Sequence, residues 1–180
     1  YRMVKKKRAP EEAVSGPTYR EVYEEVPVTA VDELETGLQH IRQADPGFSL
    51  EQFKELAMDI FFKVQGGWMH RDMAVLQPLV TAEMAQQFQN DINSLLQQKR
   101  SNRLENIAVR SVEVAEAWQE LGTDFITCLI KASLLDYTID DTTQTVVDGS
   151  MTSPTTFEEY WTFSRNVGTR EWKLSAINQP

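Results

Sequence analysis

The segment FSLEQFKELAMDIFFKVQGGW, residues 48–68, determines the fold predicted for this chain. Its large apolar residues recur at intervals of three and four, which places them on one stripe of an α-helix; they are Phe53, Leu56, Ile60, Val64 and Trp68, with Ala57 and Phe61 beside them. Ser49 and Gln52 have the spacing of a helix-capping box, and residues 45–47 (DPG) are typical of a turn. Such a long apolar stripe needs a broad apolar partner, so we expect the helix to lie across a sheet.

The second half of the chain supplies the strands of that sheet. From Asn106 onward the apolar residues follow the period of β-strands, which predicts four strands at residues 106–120, 123–139, 157–167 and 171–177. The apolar positions of the first strand change face near Arg110 and Ser111, which indicates a bulge and a bent strand. Residues 140–156 are polar and are predicted to be a connection.

Two further helices are predicted between the long helix and the sheet. A short one begins after Asp72 and carries apolar residues up to Val80, and another covers residues 81–100 with Thr81 as its cap. Three helices followed by a bent four-stranded antiparallel sheet make an α+β fold, and a curved sheet around an aromatic helix makes a cone with a hollow end.

Residues 30–44 form an additional amphipathic helix with apolar residues spaced three, four and three apart: Val31, Leu34, Leu38 and Ile41. Two interpretations of this helix remain open. Its apolar stripe packs on the main body, or it detaches to contact a partner protein or a membrane.

Charge and composition exclude several classes of function. The 180-residue chain has a net charge of −9, but residues 1–8 carry five positive charges, and the remainder has 13 basic against 27 acidic residues. An acidic body argues against nucleic acid as a partner. The single cysteine, Cys128, lies in an apolar run and is expected to be buried, and His40 and His70 lack metal-ligand spacing. No metal and no cofactor is therefore predicted.

The N-terminal residues suggest attachment to a membrane. Clustered positive charges at Lys5, Lys6, Lys7 and Arg8 are typical of the cytoplasmic flank of a transmembrane helix, although a solvated charge run has the same composition. The predicted organisation is a basic juxtamembrane segment (1–8), a flexible linker (9–29), the amphipathic helix (30–44) and the main domain (45–180). We expect an upstream anchor in the cell inner membrane, with the domain on the cytoplasmic side.

Several segments resemble the Tim-forty-four-like (Tim44-like) family: DPGFSLEQF at 45–53, W-x-x-R-D-x-x-x-L-x-P-L at 68–79, YWTFSR at 160–165 and W-x-L-x-x-I at 172–177. The resemblance covers about residues 40–179. It implies a cone similar to nuclear transport factor two and a membrane-associated, non-enzymatic binding or tethering domain in protein translocation or membrane-protein assembly. Bacterial relatives resemble chains with an upstream hydrophobic anchor and a basic cluster. The acidic body departs from mitochondrial members, which are said to meet anionic lipid through a basic surface.

The predicted ligand site is the open end of the cone, near Phe61, Trp68 and Trp161, and its ligand is a lipid acyl chain or an apolar protein segment. The opposing interpretation is that the aromatic residues fill the cone completely. The helix at residues 30–44 is a possible competitor for the same apolar surface. An alternative function is a small-molecule enzyme of isomerase or dehydratase type that uses a cavity carboxylate, Asp124 or Asp136. No catalytic motif accompanies these residues, so no catalytic residue is assigned and no enzyme activity is expected.

Overall fold

The computed structural model of the protein describes residues 29–180. Its helices are α1 (Thr29–Ala44), α2 (Leu50–Met69), α3 (Met73–Leu76) and α4 (Ala82–Gln97), with a 3₁₀ turn at Gln77–Leu79. Its strands are β1 (Arg100–Glu120), β2 (Thr123–Asp140), β3 (Val146–Gly149), β4 (Thr155–Asn166) and β5 (Lys173–Asn178). The predicted α+β class is confirmed. The basic segment 1–8 and all but the last residue of the predicted linker lie outside the described residues.

Helix α2 forms where the sequence predicts it. The Ser49 hydroxyl accepts a hydrogen bond from the Gln52 backbone N–H (3.3 Å), which satisfies one of the free donors of the first turn. At the other end, the imidazole Nδ1 of His70 donates to the Gly66 carbonyl (2.8 Å), and Arg71 turns the chain with a φ of 53°. The predicted apolar stripe is the buried face of this helix.

The sheet is antiparallel in the order β1-β2-β4-β5, and β3 pairs with the end of β2. The prediction of four strands was wrong by one, because β3 is exposed at every residue and lacks the alternation that marks a half-buried strand. The predicted bulge is present, since the register of β1 shifts between Val109 and Ser111. Two further shifts, between Glu105 and Ala108 and between Val114 and Glu116, add to the irregularity of the strand.

Two boundaries before the sheet differ from the prediction. Helix α4 ends at Gln97 instead of Arg100, and β1 begins at Arg100 instead of Asn106, because Lys99 adopts a φ of 50° and turns the chain. The short helix after Asp72 is confirmed, and Asp72 caps it by accepting from the Ala74 N–H (2.9 Å). Pro78 lies in the 3₁₀ turn that directly follows this helix.

Aromatic packing between α2 and the sheet forms the core. Phe53 meets Phe163 edge to face at a centroid distance of 5.7 Å, and Phe61 packs on Trp161 at 5.1 Å. Cys128 is fully buried, as expected, and burial raises the pKa of its thiol to about 12. The predicted placement of the long helix against the sheet is therefore correct.

Helix α1 packs on the body. Leu38 and Ile41 are buried, and Gly37 approaches β1 so closely that a Cβ at this position would lie 1.8 Å from the Ala117 carbonyl oxygen. Of the two interpretations of this helix, packing on the body is therefore the arrangement found in the structure. The N-terminal part of α1 is open to solvent: Val31 is 75% exposed and Leu34 is only half-buried.

Candidate binding groove

The three aromatic residues predicted to line a ligand site lie in the core. Phe61 and Trp161 are fully buried and in mutual contact, whereas Trp68 packs on Phe88 at 6.3 Å and its indole N–H donates to Asn102 Oδ1 (2.9 Å). Within residues 29–180, none of these three aromatic residues forms part of the wall of the groove between α1 and β1 or of the two clefts near the start of α2. A ligand would reach them only if the cone opened, so their role in binding stays a prediction.

The two carboxylates considered for catalysis have structural partners. Asp124 is fully buried and accepts from Arg165 Nε (3.0 Å) and Gln119 Nε2 (2.7 Å). Asp136 is half-buried and accepts from Asn102 Nδ2 (2.8 Å). Neither lines the groove or the clefts at the start of α2 and near Pro78.

One polar side chain in the core has no partner among the described residues. Gln65 lies on α2 between the positions of Phe61 and Trp68, is 1% exposed, and makes no hydrogen bond through either its amide nitrogen or its amide oxygen. Leaving such a group unpaired costs on the order of 1–3 kcal/mol. The burial of Gln65 was not predicted, because a single glutamine in an amphipathic helix is normally assigned to its solvent-exposed face.

The end of the cone beside the C-terminus of α2 is closed by a polar cluster. Arg71 Nη1 donates to Asp141 Oδ2 (2.7 Å) and to the Arg100 carbonyl (3.0 Å), and the Ser101 hydroxyl donates to Asp141. The hydrogen bonds from Ser101 and Arg71 lower the pKa of the Asp141 carboxyl. These contacts join the loop after α2 to the turn between β2 and β3.

An open groove of about 720 Å³ lies between the first half of α1 and the end of β1. Its apolar lining residues are mostly small, and they include Leu34, Gly37, Ala115, Ala117 and the half-buried Trp118. The Trp118 ring of β1 stacks on the Phe125 ring of β2 at a centroid distance of 4.8 Å and an interplanar angle of 7°, so the neighbouring strand holds the Trp118 ring in place.

Carboxylates surround this groove. Asp32 and Glu33 from α1 and Glu116 from β1 line it and are exposed, and no lysine or arginine is among its lining residues. The groove therefore combines an apolar floor with a negative rim, and a basic and partly apolar ligand would match both features.

Only Gly37 indicates this groove in the amino-acid sequence, and it does so indirectly. Gly37 lowers the helix propensity of α1 by about 1 kcal/mol relative to alanine, and the structure places it where α1 touches β1. A glycine within an otherwise regular amphipathic helix is a usable signal of close approach. Trp118 and Glu116 gave no such signal, because alternation along a bulged strand does not predict which face stays open.

Neither a metal site nor a membrane-spanning helix is found in the described part of the chain. Within residues 29–180, no three side chains of the types that bind metals come together. None of the helices in this range combines the length and the apolar content that crossing a bilayer requires.

Comparisons with known proteins identify a family and solved structures with a similar fold. The family model described as the Tim44-like domain matches residues 34–179. The crystal structure of the intermembrane space region of chloroplast protein ARC6 is similar over 70% of this chain and 96% of that chain, with 12% sequence identity and a TM-score of 0.42. No curated protein matches this chain.

Proposed function

Since the chain belongs to the Tim44-like family, as the sequence segments predicted, we propose that it binds basic, apolar segments of partner proteins in the groove between α1 and β1. Domains of this family are typically non-enzymatic and are related in general to protein translocation. The observation that carries the proposal is the apolar groove of about 720 Å³ with three carboxylates and no lysine or arginine along its lining.

The groove has dimensions suited to a protein segment. Its volume lies within the range of about 300–1,000 Å³ that is usual for ligand sites. The small residues Gly37, Ala115 and Ala117 leave room above them, and the Trp118 ring offers a broad apolar wall. An amphipathic helix that places its apolar face in such a groove is a common mode of recognition.

The charges select which segment binds. Basic side chains on the rim of the bound segment would meet Asp32, Glu33 and Glu116, whereas an acidic segment or an anionic lipid would be repelled. This surface therefore favours a basic protein segment over the lipid acyl chain that the sequence left as an equal alternative.

The groove is also held in shape before a ligand arrives. Leu38 and Ile41 fix α1 to the body, the contact between Gly37 and Ala117 sets the distance of α1 from β1, and Phe125 supports Trp118. A rigid site loses little conformational entropy on binding, which favours affinity.

Titration of the full chain with an amphipathic peptide of leucine and lysine tests the proposal. We expect saturable binding that weakens with salt, and no binding of a leucine–glutamate peptide of equal length. Replacing Glu33 and Glu116 by lysine should weaken binding about tenfold or more, because each change turns an attraction into a repulsion.

Glu55 and Glu83 provide the matched control, because both are exposed and neither lines the groove. Their replacement by lysine changes the net charge by the same amount, and thermal melting verifies that both double variants are folded. Equal binding by the two double variants, or equal binding of the acidic peptide, would rule out this groove as the site.

We further propose that the basic residues Lys5, Lys6, Lys7 and Arg8 place the domain at the cytoplasmic face of the cell inner membrane. Each lysine or arginine close to an anionic surface contributes about 1 kcal/mol, whereas the acidic body would be repelled. Co-sedimentation with vesicles containing anionic lipid should therefore be lost when these four residues become glutamine. Unchanged sedimentation of this variant would contradict the membrane role of the segment.

A further inference from the structure

A second cleft, separate from the groove, lies where α2 begins. Its volume is about 180 Å³, and its walls include Phe53 and Leu56 from α2 together with Trp172. Arg165 and Arg170 also line it. Two arginines beside an apolar wall stand out in a body whose charge is strongly negative.

Arg165 is fixed by two ion pairs, and one of its guanidinium nitrogens has no hydrogen-bond partner among the described residues. Its side chain is 3% exposed, its Nε donates to Asp124 Oδ2 (3.0 Å) and its Nη1 to Asp45 Oδ2 (3.1 Å). The guanidinium also lies over the Trp172 ring (4.6 Å to the centroid) and near the Phe48 ring (5.7 Å). Nη2 is buried and has no hydrogen-bond partner among the described residues. Buried polar groups in folded proteins nearly always have a hydrogen-bond partner, so Nη2 is a donor available to an acceptor that binds in this cleft.

The N-terminus of α2 contributes to the same cleft. Ser49 and Gln52, which form the helix cap, are among its lining residues. The first turn of a helix has backbone N–H groups without intrahelical partners and a partial positive charge, both of which favour an anion. Arg165 is paired with Asp45 and with the buried Asp124, so the formal charges of the two arginines are balanced before a ligand binds, and the site suits at most a single negative charge.

The cleft continues along a surface that is partly apolar. A neighbouring cleft of about 370 Å³ shares Leu56, Arg170 and Trp172 with it, extends to Pro78, and also has Glu171 and Lys173 along its wall. A ligand with its anionic end near Arg165 therefore has room for several carbon atoms along Leu56 and Trp172, and it passes Arg170 on the way.

We propose that this cleft binds a monocarboxylate carried on a short apolar chain. The carboxylate lies between Arg165 Nη2 and Arg170 at the N-terminus of α2, and the chain follows Trp172 toward Pro78. This site is independent of the groove between α1 and β1, so either can fail without the other.

Octanoate is a suitable probe, and the indole N–H signal of Trp172 is a local reporter. Titration of the full chain should shift this signal saturably, and octanol should bind about tenfold more weakly, because it lacks the charged acceptor. A leucine-terminated peptide with a free carboxylate, compared with its amide, distinguishes a peptide C-terminus from a free acid as the source of the carboxylate. Tighter binding of either acid identifies that source and supports the site.

Arg170 is the residue to change, since it is exposed and takes no part in the ion pairs that Arg165 forms with Asp45 and Asp124. Arg165→Gln is unsuitable, because it would leave Asp124 buried without its cation and would destabilise the fold. Arg170→Gln should weaken octanoate binding about tenfold. The matched control is Arg42→Gln on the exposed side of α1, which removes the same charge and should leave binding unchanged.

Three results would overturn the proposal. They are no shift of Trp172 with either octanoate or the free-acid peptide, equal binding of both acids and their uncharged counterparts, and unchanged affinity in Arg170→Gln. Each would mean that the cleft does not recognise a carboxylate as proposed.

Discussion

The interior of the cone and the groove along α1 contain similar residue types, yet one is closed and the other is open. In the interior, the large rings of Phe61 and Trp161 pack on each other at a centroid distance of 5.1 Å, and both are fully buried. In the groove, the large ring of Trp118 is accompanied by small residues, Gly37, Ala115 and Ala117, and the space stays free. The difference indicates that a binding surface in this domain depends on pairing large residues with small ones, because aromatic content alone produces a filled core.

Electrostatics separates the same two regions. The groove has three exposed carboxylates, whereas the charged groups nearest the cone interior, such as Asp124 and Arg165, are paired with each other. Of these two regions, the groove is therefore the one where a partner meets exposed charge.

Ile60→Asp should unfold the domain. Ile60 is on the buried face of α2, and a carboxylate there would have no partner in an apolar environment. Met58→Asp, two positions away on the exposed side of the same helix, should lower the free energy of unfolding by only about 0.5 kcal/mol. Circular dichroism and chemical denaturation measure both. A cooperative transition in Ile60→Asp near that of the unchanged chain would contradict a filled interior.

Gly37→Ala and Gly66→Ala should have opposite effects, although both glycines lie within helices. At Gly37 the added methyl group would collide with the Ala117 carbonyl, so we expect a loss of about 1–3 kcal/mol and weaker binding of the leucine–lysine peptide. At Gly66 nothing lies within 4 Å of the added methyl group, and the helix should gain about 0.5–1 kcal/mol. Equal effects of the two changes would show that α1 is not held at the distance that forms the groove.

The closed end of the cone should depend on pH through Asp141. Its folded-state pKa is lowered by hydrogen bonds from Ser101 and Arg71, so its contribution to stability is present above its unfolded pKa of about 3.9 and is lost as the pH falls through the folded value. Asp141→Asn should therefore lower the melting temperature at neutral pH, and this difference from the unchanged chain should shrink below about pH 4. Ser101→Ala should act in the same direction. A difference that is constant with pH would contradict the assignment.

Gln65→Met should stabilise the protein by about 1 kcal/mol, because it replaces a buried amide that has no partner with an apolar side chain of similar size. Gln97→Met, at an exposed position of α4, should change the free energy of unfolding by less than about 0.5 kcal/mol. Denaturant titration gives both values. A loss of stability in Gln65→Met would mean that the Gln65 amide has hydrogen-bond partners inside the cone, and that the interior is more polar than its side chains indicate.

Periodicity predicted most of the fold because burial of α2, β2 and β4 follows regular patterns. The stripe from Phe53 to Trp68, the cap at Ser49 and the bulge at Arg110 all depend on local rules that a sequence displays directly. Strand β3 escaped prediction because all of its residues are exposed and show no alternation, and the first residues of β1 escaped it because long-range contacts hold them in place. Ser101 and Asn102 are buried through hydrogen bonds to residues about 35 to 40 positions away, and composition carries no trace of such contacts.

The candidate sites were harder to predict for a related reason. Large aromatic residues pointed to Phe61, Trp68 and Trp161, but whether rings fill a space or line it depends on what stands opposite them. The groove forms because Gly37 of α1 packs closely on Ala117 of β1, and the carboxylate cleft is distinguished by the Nη2 atom of Arg165, which has no hydrogen-bond partner among the described residues. Both depend on the packing of elements that are remote in sequence.

The most direct test of the central claim uses the four tryptophans, which report on three different places: Trp118 on the groove, Trp172 on the carboxylate cleft, and Trp68 and Trp161 on the cone interior. Their indole N–H signals are followed in one nitrogen–proton correlation spectrum during titration with the leucine–lysine peptide. The account predicts that the Trp118 signal shifts saturably, while the Trp68 and Trp161 signals keep their positions. Shifts of Trp68 and Trp161 with an unchanged Trp118 signal would place the partner inside the cone and contradict the account.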